Sequence, residues 1–410
     1  MRNRMIISLL LLLLPILGDG QSLSELLGIA QDQNLELKAL NQEYLAVLEK
    51  APQVRQLPDP EVGIGAFVSP VETRLGAQQF RLGVSQMFPW FGTLAAKEQV
   101  VLAQAKVELE RISIRNLELK YLVKVAYFQC YEKEKAKNII RQNIRILNAL
   151  RQLSLSRIES GKGSAVDVLQ VDLNIQEMEQ ELLVLDRQLE QPLAELNQIL
   201  NRPLKTPLQL QDSLSFALLP YHPDTLLTHM REHHPMLSMF EQQQETARKI
   251  INLNALEAKP SFGLGADYIQ VNSRSDANPI RNGSDIAQIS AKVRIPLFQE
   301  KYRAKEREEN LKITALEYRK SDIETQFLSK IEKAFSDYKI ADLRQDLYTR
   351  QVLTTKSAIR ILQANYSTAG TGFDDLLRLE KTLLDYDLKM LKAIVQSQIA
   401  QATIERYLNF

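Results

Sequence analysis

The side chains best suited to chemistry are the histidines. His222, His229, His233 and His234 are the only four in the 410-residue chain, and they fall within thirteen positions. Imidazoles at that density can ligate a zinc-like ion, so a His-dependent metalloenzyme is one reading. A second reading is structural: His233 and His234 stand where Gln33 and Asn34 stand in an earlier copy of the same segment, at the cap before a helix. Cys130 is the single cysteine, which excludes an internal disulfide framework and any multi-cysteine metal site. It lies in a helical pattern with no basic neighbour pattern to activate the thiol, so packing is its expected role. Gly63-Ile-Gly65 and Gly263-Leu-Gly265 lack the third glycine of a dinucleotide loop, and a strand pattern continues through them. They read instead as close backbone approach on one strand face. No nucleophile–base constellation and no phosphate-binding loop is present. No catalytic residue, cofactor or metal is expected, and the chain is not expected to be an enzyme.

Composition narrows the class further. There are 51 basic and 50 acidic residues, a net charge of +1, and no basic run, so no nucleic-acid partner is expected. With 45% apolar and 25% charged residues the chain should be ordered. A mean hydropathy of −0.22 is too polar for a bundle of membrane-spanning helices. Arg2 and Arg4 precede an apolar stretch from Met5 to Leu17, followed by Gly18-Asp19-Gly20. This pattern predicts a cleaved signal peptide over 1–20, because the stretch is short of the roughly 20 residues a spanning helix needs. The working chain, 21–410, is therefore expected beyond the inner membrane.

The elements around these residues are written twice. Leu26-Leu27 recurs as Leu226-Leu227, and Pro60, Gly63, Gly65 and Ala66 recur as Pro260, Gly263, Gly265 and Ala266, all 200 residues apart. Phe88-Pro89-Trp90-Phe91 recurs as Ile295-Pro296-Leu297-Phe298, and Gly163 and Asp167 as Gly370 and Asp374, now 207 apart. Such periodic agreement marks a duplication. The two tandem repeats span about 23–203 and 223–410, joined by a proline-rich linker over 201–223.

Each repeat reads helix, strand, loop, strand, very long helix, turn, helix. Helices are predicted at about 23–52, 93–160 and 165–200, and again at about 224–257, 297–369 and 374–408. Thr93–Ser160 and Leu297–Ala369 contain neither Gly nor Pro over 68 and 73 residues. At 1.5 Å rise, each could reach roughly 100 Å. Gly161/Gly163 and Gly370/Gly372 end them, since glycine tolerates the positive φ of a helix stop. Leu182, Leu185, Leu189, Leu193 and Leu196 recur at three and four, and so do Leu384, Leu388, Leu391, Val395 and Ile399, the seam of packed antiparallel helices. Asp167 and Asp374 open the returning helices, where the dipole favours negative charge.

Four strands are predicted at about 60–69, 80–88, 260–271 and 286–296. They alternate: Val62, Ile64 and Ala66 against Gly63 and Gly65; Leu82 and Val84 against Arg81, Gly83 and Ser85; Ile289, Ala291 and Val293 against Gln288, Ser290 and Lys292. A half-buried soluble sheet would alternate in the same way. The export signal favours a bilayer, and strands of about 9–11 residues match its thickness. Sheet edges cannot lie in lipid, so chains must share a closed barrel, and three would supply twelve strands. Phe88, Trp90 and Phe91 sit where strand becomes helix and suit a membrane–water interface.

The duplication, the Pro-bounded strand pairs, the long helices and the turns Arg157–Leu169 and Tyr366–Leu377 together resemble the TolC-type outer-membrane efflux family. The resemblance covers about Leu23–Leu408 and concerns the channel-tunnels of Gram-negative export systems. It implies a mixed α/β membrane protein, a long antiparallel α-helical coiled-coil barrel joined to a transmembrane β-barrel. Each chain of a homotrimer gives four of twelve strands, and the linker belts the tunnel at its equator. The protein would be a passive conduit in the outer membrane, held among its lipids, with its helices in the periplasm. Its tip would meet a periplasmic adaptor (membrane fusion protein) and an inner-membrane transporter. The resemblance also implies site roles. Asp167 and Tyr366 fall on a gate acid and gate tyrosine that latch the helix hairpins shut. Asp375 falls on an acid that rings the entrance. Thr371 stands near the family's gate arginine, so that charge-assisted contact is expected to be absent, and Arg378 stands where a second entrance acid can occur. Gly161, Gly163, Ser164, Gly370 and Gly372 would form the tip turns that touch the adaptor. The rival reading is a soluble periplasmic coiled-coil adaptor, which has no use for a lipid-facing stripe.

Overall fold

A computed structural model describes residues 22–210, 213–219, 223–369 and 371–408. The expected signal peptide, His222 and Gly370 lie outside the described residues. The described residues divide into two compact units, one from 22–38, 114–234 and 325–408, the other from 39–113 and 235–324.

The sheet unit holds β1 (Glu61–Ala66), β2 (Glu72–Thr73), β3 (Gly76–Phe88), β4 (Ser261–Asn272) and β5 (Ile286–Arg294). The antiparallel order is β1-β3-β4-β5, with β2 paired to the start of β3. Register follows the duplication: Gly63 faces Gly83, Gly83 faces Asp267, and Asp267 faces Gln288. On the other face Val62, Val84, Ala266 and Ile289 form one apolar row across all four long strands. Val62, Val84 and Ile289 are exposed in the single chain. On the polar face Arg81 is bound to Asp267 at 3.0 Å. β3 begins four residues earlier than the alternation suggests, because Gly76 at φ +130 turns the chain tightly enough for β2 to pair with it.

The helical unit is built on the returning hairpins. Helix α4 (Thr93–Glu159) turns into α5 (Ala165–Ile199), and α8 (Glu300–Ala369) into α9 (Phe373–Glu405). Both α4 and α8 contribute residues to each unit. Val171, Met178 and Leu185 are buried at seven-residue spacing on α5, the heptad signature of coiled-coil packing. Leu376, Leu383, Leu391 and Val395 are buried on α9. Leu182, Leu189, Leu384 and Leu388, read as seam positions, are only half-buried in one chain. Lys381 on α9 reaches Glu177 on α5 at 2.8 Å. Among the contacts that tie down the connecting segment, Leu214 N donates to Tyr131, Ala217 N to Ser397, Tyr338 to the Ala217 carbonyl and Gln398 to the Ser215 carbonyl.

The first helix of each repeat is segmented. Residues 23–52 form α1 (Leu23–Gln33), α2 (Leu35–Leu48) and the start of α3 (Lys50–Val54). Asn34 is extended, and its Oδ1 accepts from Glu36 N and Leu37 N, both at 3.2 Å. Its side chain thereby replaces the carbonyls that a continuous helix would supply. The second repeat breaks at the equivalent place, between α6 (Pro223–His233) and α7 (Pro235–Glu257). There Pro235 opens the new helix, where its missing N–H costs nothing. Leu26 and Leu226 are both fully buried, and so are Leu37 and Leu237, so the duplicated apolar residues do the same work twice.

Candidate functional site

The two hairpin turns of the helical unit are made by glycine geometry. Gly161 adopts φ +71, and Lys162 N returns a bond to the Arg157 carbonyl at 2.9 Å, closing the end of α4. At Gly163 a Cβ would sit 2.8 Å from Ile158 N and 2.9 Å from the Arg157 Cβ, so the chain can pass there only without a side chain. Ser164 caps α5 by accepting from Val166 N at 3.2 Å. Gly372, at φ +81, precedes α9, whose first turn carries Asp374 and Asp375.

Around these turns a polar cluster joins the hairpins. Tyr366 is 1% exposed, and its hydroxyl donates to Asp167 Oδ2 at 3.0 Å. A phenol has one proton, so the fully buried Ser154 Oγ, 3.1 Å away, is the donor in their shared bond. Burial, with the Asp167 carboxylate beside it, raises the pKa of Tyr366, which keeps it a donor. The ring packs against Phe373, centroids 4.9 Å apart. Asp167 and Tyr366, named together as a latch, are in direct contact.

Thr371 is exposed, but Arg157, from the other hairpin, supplies a guanidinium. Its Nη1 donates to the Tyr366 carbonyl at 2.7 Å and to the Ser367 carbonyl at 3.2 Å, and Nη2 donates to the Lys162 carbonyl at 3.3 Å. The same group lies 5.0 Å from the Tyr366 ring centroid, a cation–π distance. Arg157 therefore bonds the end of α8 and its own turn at once. Asp375 is exposed and paired with Arg378 at 2.6 Å, so its charge is partly neutralised within one helix turn.

The other candidate residues lie elsewhere. Phe88 ends β3, opposite Phe262. Trp90 contacts Phe91 edge-on at 6.0 Å and Phe262 at 5.9 Å, and Phe91 is largely exposed. Of the histidines, His234 is buried against Phe327 at 4.5 Å and Tyr407 at 6.3 Å. Burial pushes its pKa down to about 4, which suits a neutral core imidazole. His229 and His233 contact each other at 4.5 Å. Among the described residues no group of three or more His, Cys, Asp or Glu side chains could hold a metal ion. Cys130 is fully buried, and desolvation pushes its thiol up to about 12.

Sequence and fold comparisons agree with this architecture. Residues 26–202 match the family model described as outer membrane efflux protein. No curated protein sequence is significantly similar to the chain. Among solved structures, the open state of the Neisseria gonorrhoeae MtrE outer membrane channel aligns with a TM-score of 0.71 at 17% identity, over 94% of this chain and 88% of that one. The Campylobacter jejuni CmeC outer membrane channel aligns at 0.70 and 13% identity, over 95% and 86%. The outer membrane protein VceC from Vibrio cholerae aligns at 0.70 and 15% identity, over 94% and 96%. The fold is the TolC-type channel fold.

Proposed function

We propose that this chain, with an outer membrane efflux protein sequence over 26–202 and the fold of outer-membrane channels over nearly all its length, is one subunit of a trimeric efflux conduit. The observation that carries the reading is the open four-strand sheet. The outer edges of β1 and β5 find no partner strand among the described residues, while one face is an exposed apolar row and the other polar and glycine-rich. Unpaired backbone in lipid costs several kcal/mol per group. Pairing β5 of one copy with β1 of the next removes both edges, and three copies close a twelve-stranded barrel with the polar face inward. Half-buried Leu182, Leu189, Leu384 and Leu388 give the helices apolar surface for the same association.

The turns at Gly161 and Gly372 then form the periplasmic tip. Tyr366, Asp167, Ser154 and Arg157 hold the two hairpins of each subunit together, and opening the tip breaks those bonds. Substrate enters there from an adaptor and an inner-membrane pump and leaves through the barrel by diffusion. Trp90 and Phe91 lie at the periplasmic boundary of the bilayer. The deciding experiment purifies the full chain from envelopes in mild detergent, measures its mass by light scattering, and reconstitutes it in planar bilayers. A trimer that conducts ions supports the reading. A monomer released by salt or carbonate without detergent refutes it in favour of a soluble periplasmic protein.

A further inference from the structure

On the polar face of the sheet, Arg81 on β3 and Asp267 on β4 make two bonds, at 3.0 and 3.1 Å. The two residues are not direct opposites. Gly83 faces Asp267 and Arg81 faces Ile269, so the pair runs on the diagonal, past the bare backbone of Gly83. A Cβ at Gly83 would sit 2.3 Å from Asp267 Oδ1, so the pair needs a glycine there. This β3–β4 junction is where the first repeat meets the second. The two edge strands carry similar charges without partners. Glu61 on β1, and Lys292 and Arg294 on β5, lie on the same polar face by register, and all three are exposed. None has an ion pair or a side-chain hydrogen bond among the described residues. Gly63 and Gly65 on β1 have no evident use inside the chain either, since a Cβ at each meets nothing within 4 Å.

The duplication relates these edges to the internal junction. β5 repeats β3 at a spacing of 207, set by Phe88-Pro89 and Ile295-Pro296, and β4 repeats β1 at 200, set by Pro60 and Pro260. When β5 meets β1 of the next copy, the last strand of one repeat meets the first strand of the following repeat, as β3 meets β4 within the chain. Inside the chain Phe88 faces Phe262, Met87 faces Gly263 and Ser85 faces Gly265. Carried to the seam, Ile295 faces Val62 of the next copy, Arg294 faces its Gly63 and Lys292 its Gly65. Arg294 then stands to Glu61 on the same diagonal as Arg81 to Asp267, and again a glycine lies opposite one member of the pair. We propose that Arg294 of one copy and Glu61 of the next form an ion pair across the subunit seam, passing over Gly63, and that this pair fixes the register in which copies join. Glycine-rich strands specify register weakly, because a slip of two residues leaves every side chain on its own face. Cross-strand opposite charges remove that freedom. The inference rests on the trimeric reading above and deepens it by naming the residues with which one copy recognises the next.

Two cysteine pairs in the full chain, purified in mild detergent, read the register. Ile64→Cys with Val293→Cys puts thiols directly opposite each other across the proposed seam, as Leu264 faces Gln86 within the chain. Ile64→Cys with Ile295→Cys does so in a seam displaced by two residues. That displacement is the rival, because the ladders inside the two repeats differ by it: Glu61 faces Ser85, but Ser261 faces Arg294. β1 and β5 are the opposite edges of one sheet, and Cys130 is buried, so a rapid disulfide joins separate copies. With copper–phenanthroline as oxidant, the first pair should give covalent dimers and trimers roughly tenfold faster than the second. Glu61→Arg alone, or Arg294→Glu alone, should lower the trimer left after heating about tenfold, because each barrel loses three such pairs. Glu61→Arg combined with Arg294→Glu should recover most of that loss. Faster cross-linking of the second pair, single variants that match wild type, or no recovery in the exchanged variant each overturn the proposal. Light scattering tests the underlying reading separately. A trimer without the expected cross-link keeps the conduit and loses the pair, and a monomer loses both.

Discussion

Replacing Tyr366 with Phe removes one oxygen and leaves the ring between Arg157 and Phe373, so it isolates the hydroxyl. Two bonds go, one to Asp167 and one from Ser154. Asp167 is half-buried and recovers part of its loss from water, but Ser154 is fully buried and is left unpaired. A stranded buried hydroxyl costs about 1–3 kcal/mol, so about 2 kcal/mol per chain is the expected loss from the closed state. In the proposed trimer, three subunits that open together lose about 6 kcal/mol, and about 5.5 kcal/mol moves a two-state equilibrium from 1:99 to 99:1. A tip closed almost all the time becomes one open most of the time. Single-channel conductance in planar bilayers reads this directly, and cellular sensitivity to a large, normally excluded antibiotic reads it in the envelope. Asp167→Asn keeps an acceptor for the phenol and should have a smaller effect. Wild-type conductance and antibiotic exclusion in Tyr366→Phe, with the trimer intact, would refute the latch.

Three further outcomes follow from the same structure. Val84→Arg, on the outward row, should cost about 2–4 kcal/mol at mid-bilayer and deplete the protein from the outer-membrane fraction. Wild-type assembly of that variant would remove the lipid face from β3. His234, with its pKa lowered from 6.5 to about 4, stays neutral when folded while the unfolded chain takes up a proton. Its contribution is full above pH 6.5 and is lost as pH falls toward 4, a change of about 3 kcal/mol. His234→Asn, the residue its repeat partner carries, should flatten melting temperature against pH across that window, and an unchanged slope would remove His234 as the cause. Cys130, buried with its thiol raised to about 12, should resist maleimide at pH 8 until the protein is denatured. Prompt labelling of the native protein would contradict the packing of α4.

Legibility differed between elements for physical reasons. The end of α4 and the start of α9 were readable because a glycine at positive φ, Gly161 at one and Gly372 at the other, is a local requirement that no distant contact supplies. The break at Asn34 was not readable, because an asparagine inside a helical pattern is tolerated unless its side chain turns to cap the next turn. Arg157 and Ser154 were missed as partners of Tyr366, although a signal existed. Ile140, Leu147 and Ser154 are seven residues apart, as are Asn143, Leu150 and Arg157, and all six are buried. Polar residues on two buried heptad rows at the end of a helix ask for partners across the interface. Their identity, 209 to 212 positions away, could not be read from spacing.

Sequence by itself determined the duplication, the two-faced strands, the two long glycine- and proline-free helices and the glycine turns that fold them back. Each of these is set by periodicity or by a backbone angle that one residue type alone accepts. Tertiary structure decided which residues meet. It brought Arg157 to the Tyr366 carbonyl, buried His234 beside Phe327 and Tyr407, and left the buried Thr93 hydroxyl without a hydrogen-bond partner. Those outcomes depend on how helices of separate repeats register against each other. That register is set by the summed burial of many apolar side chains and is not encoded at any one position.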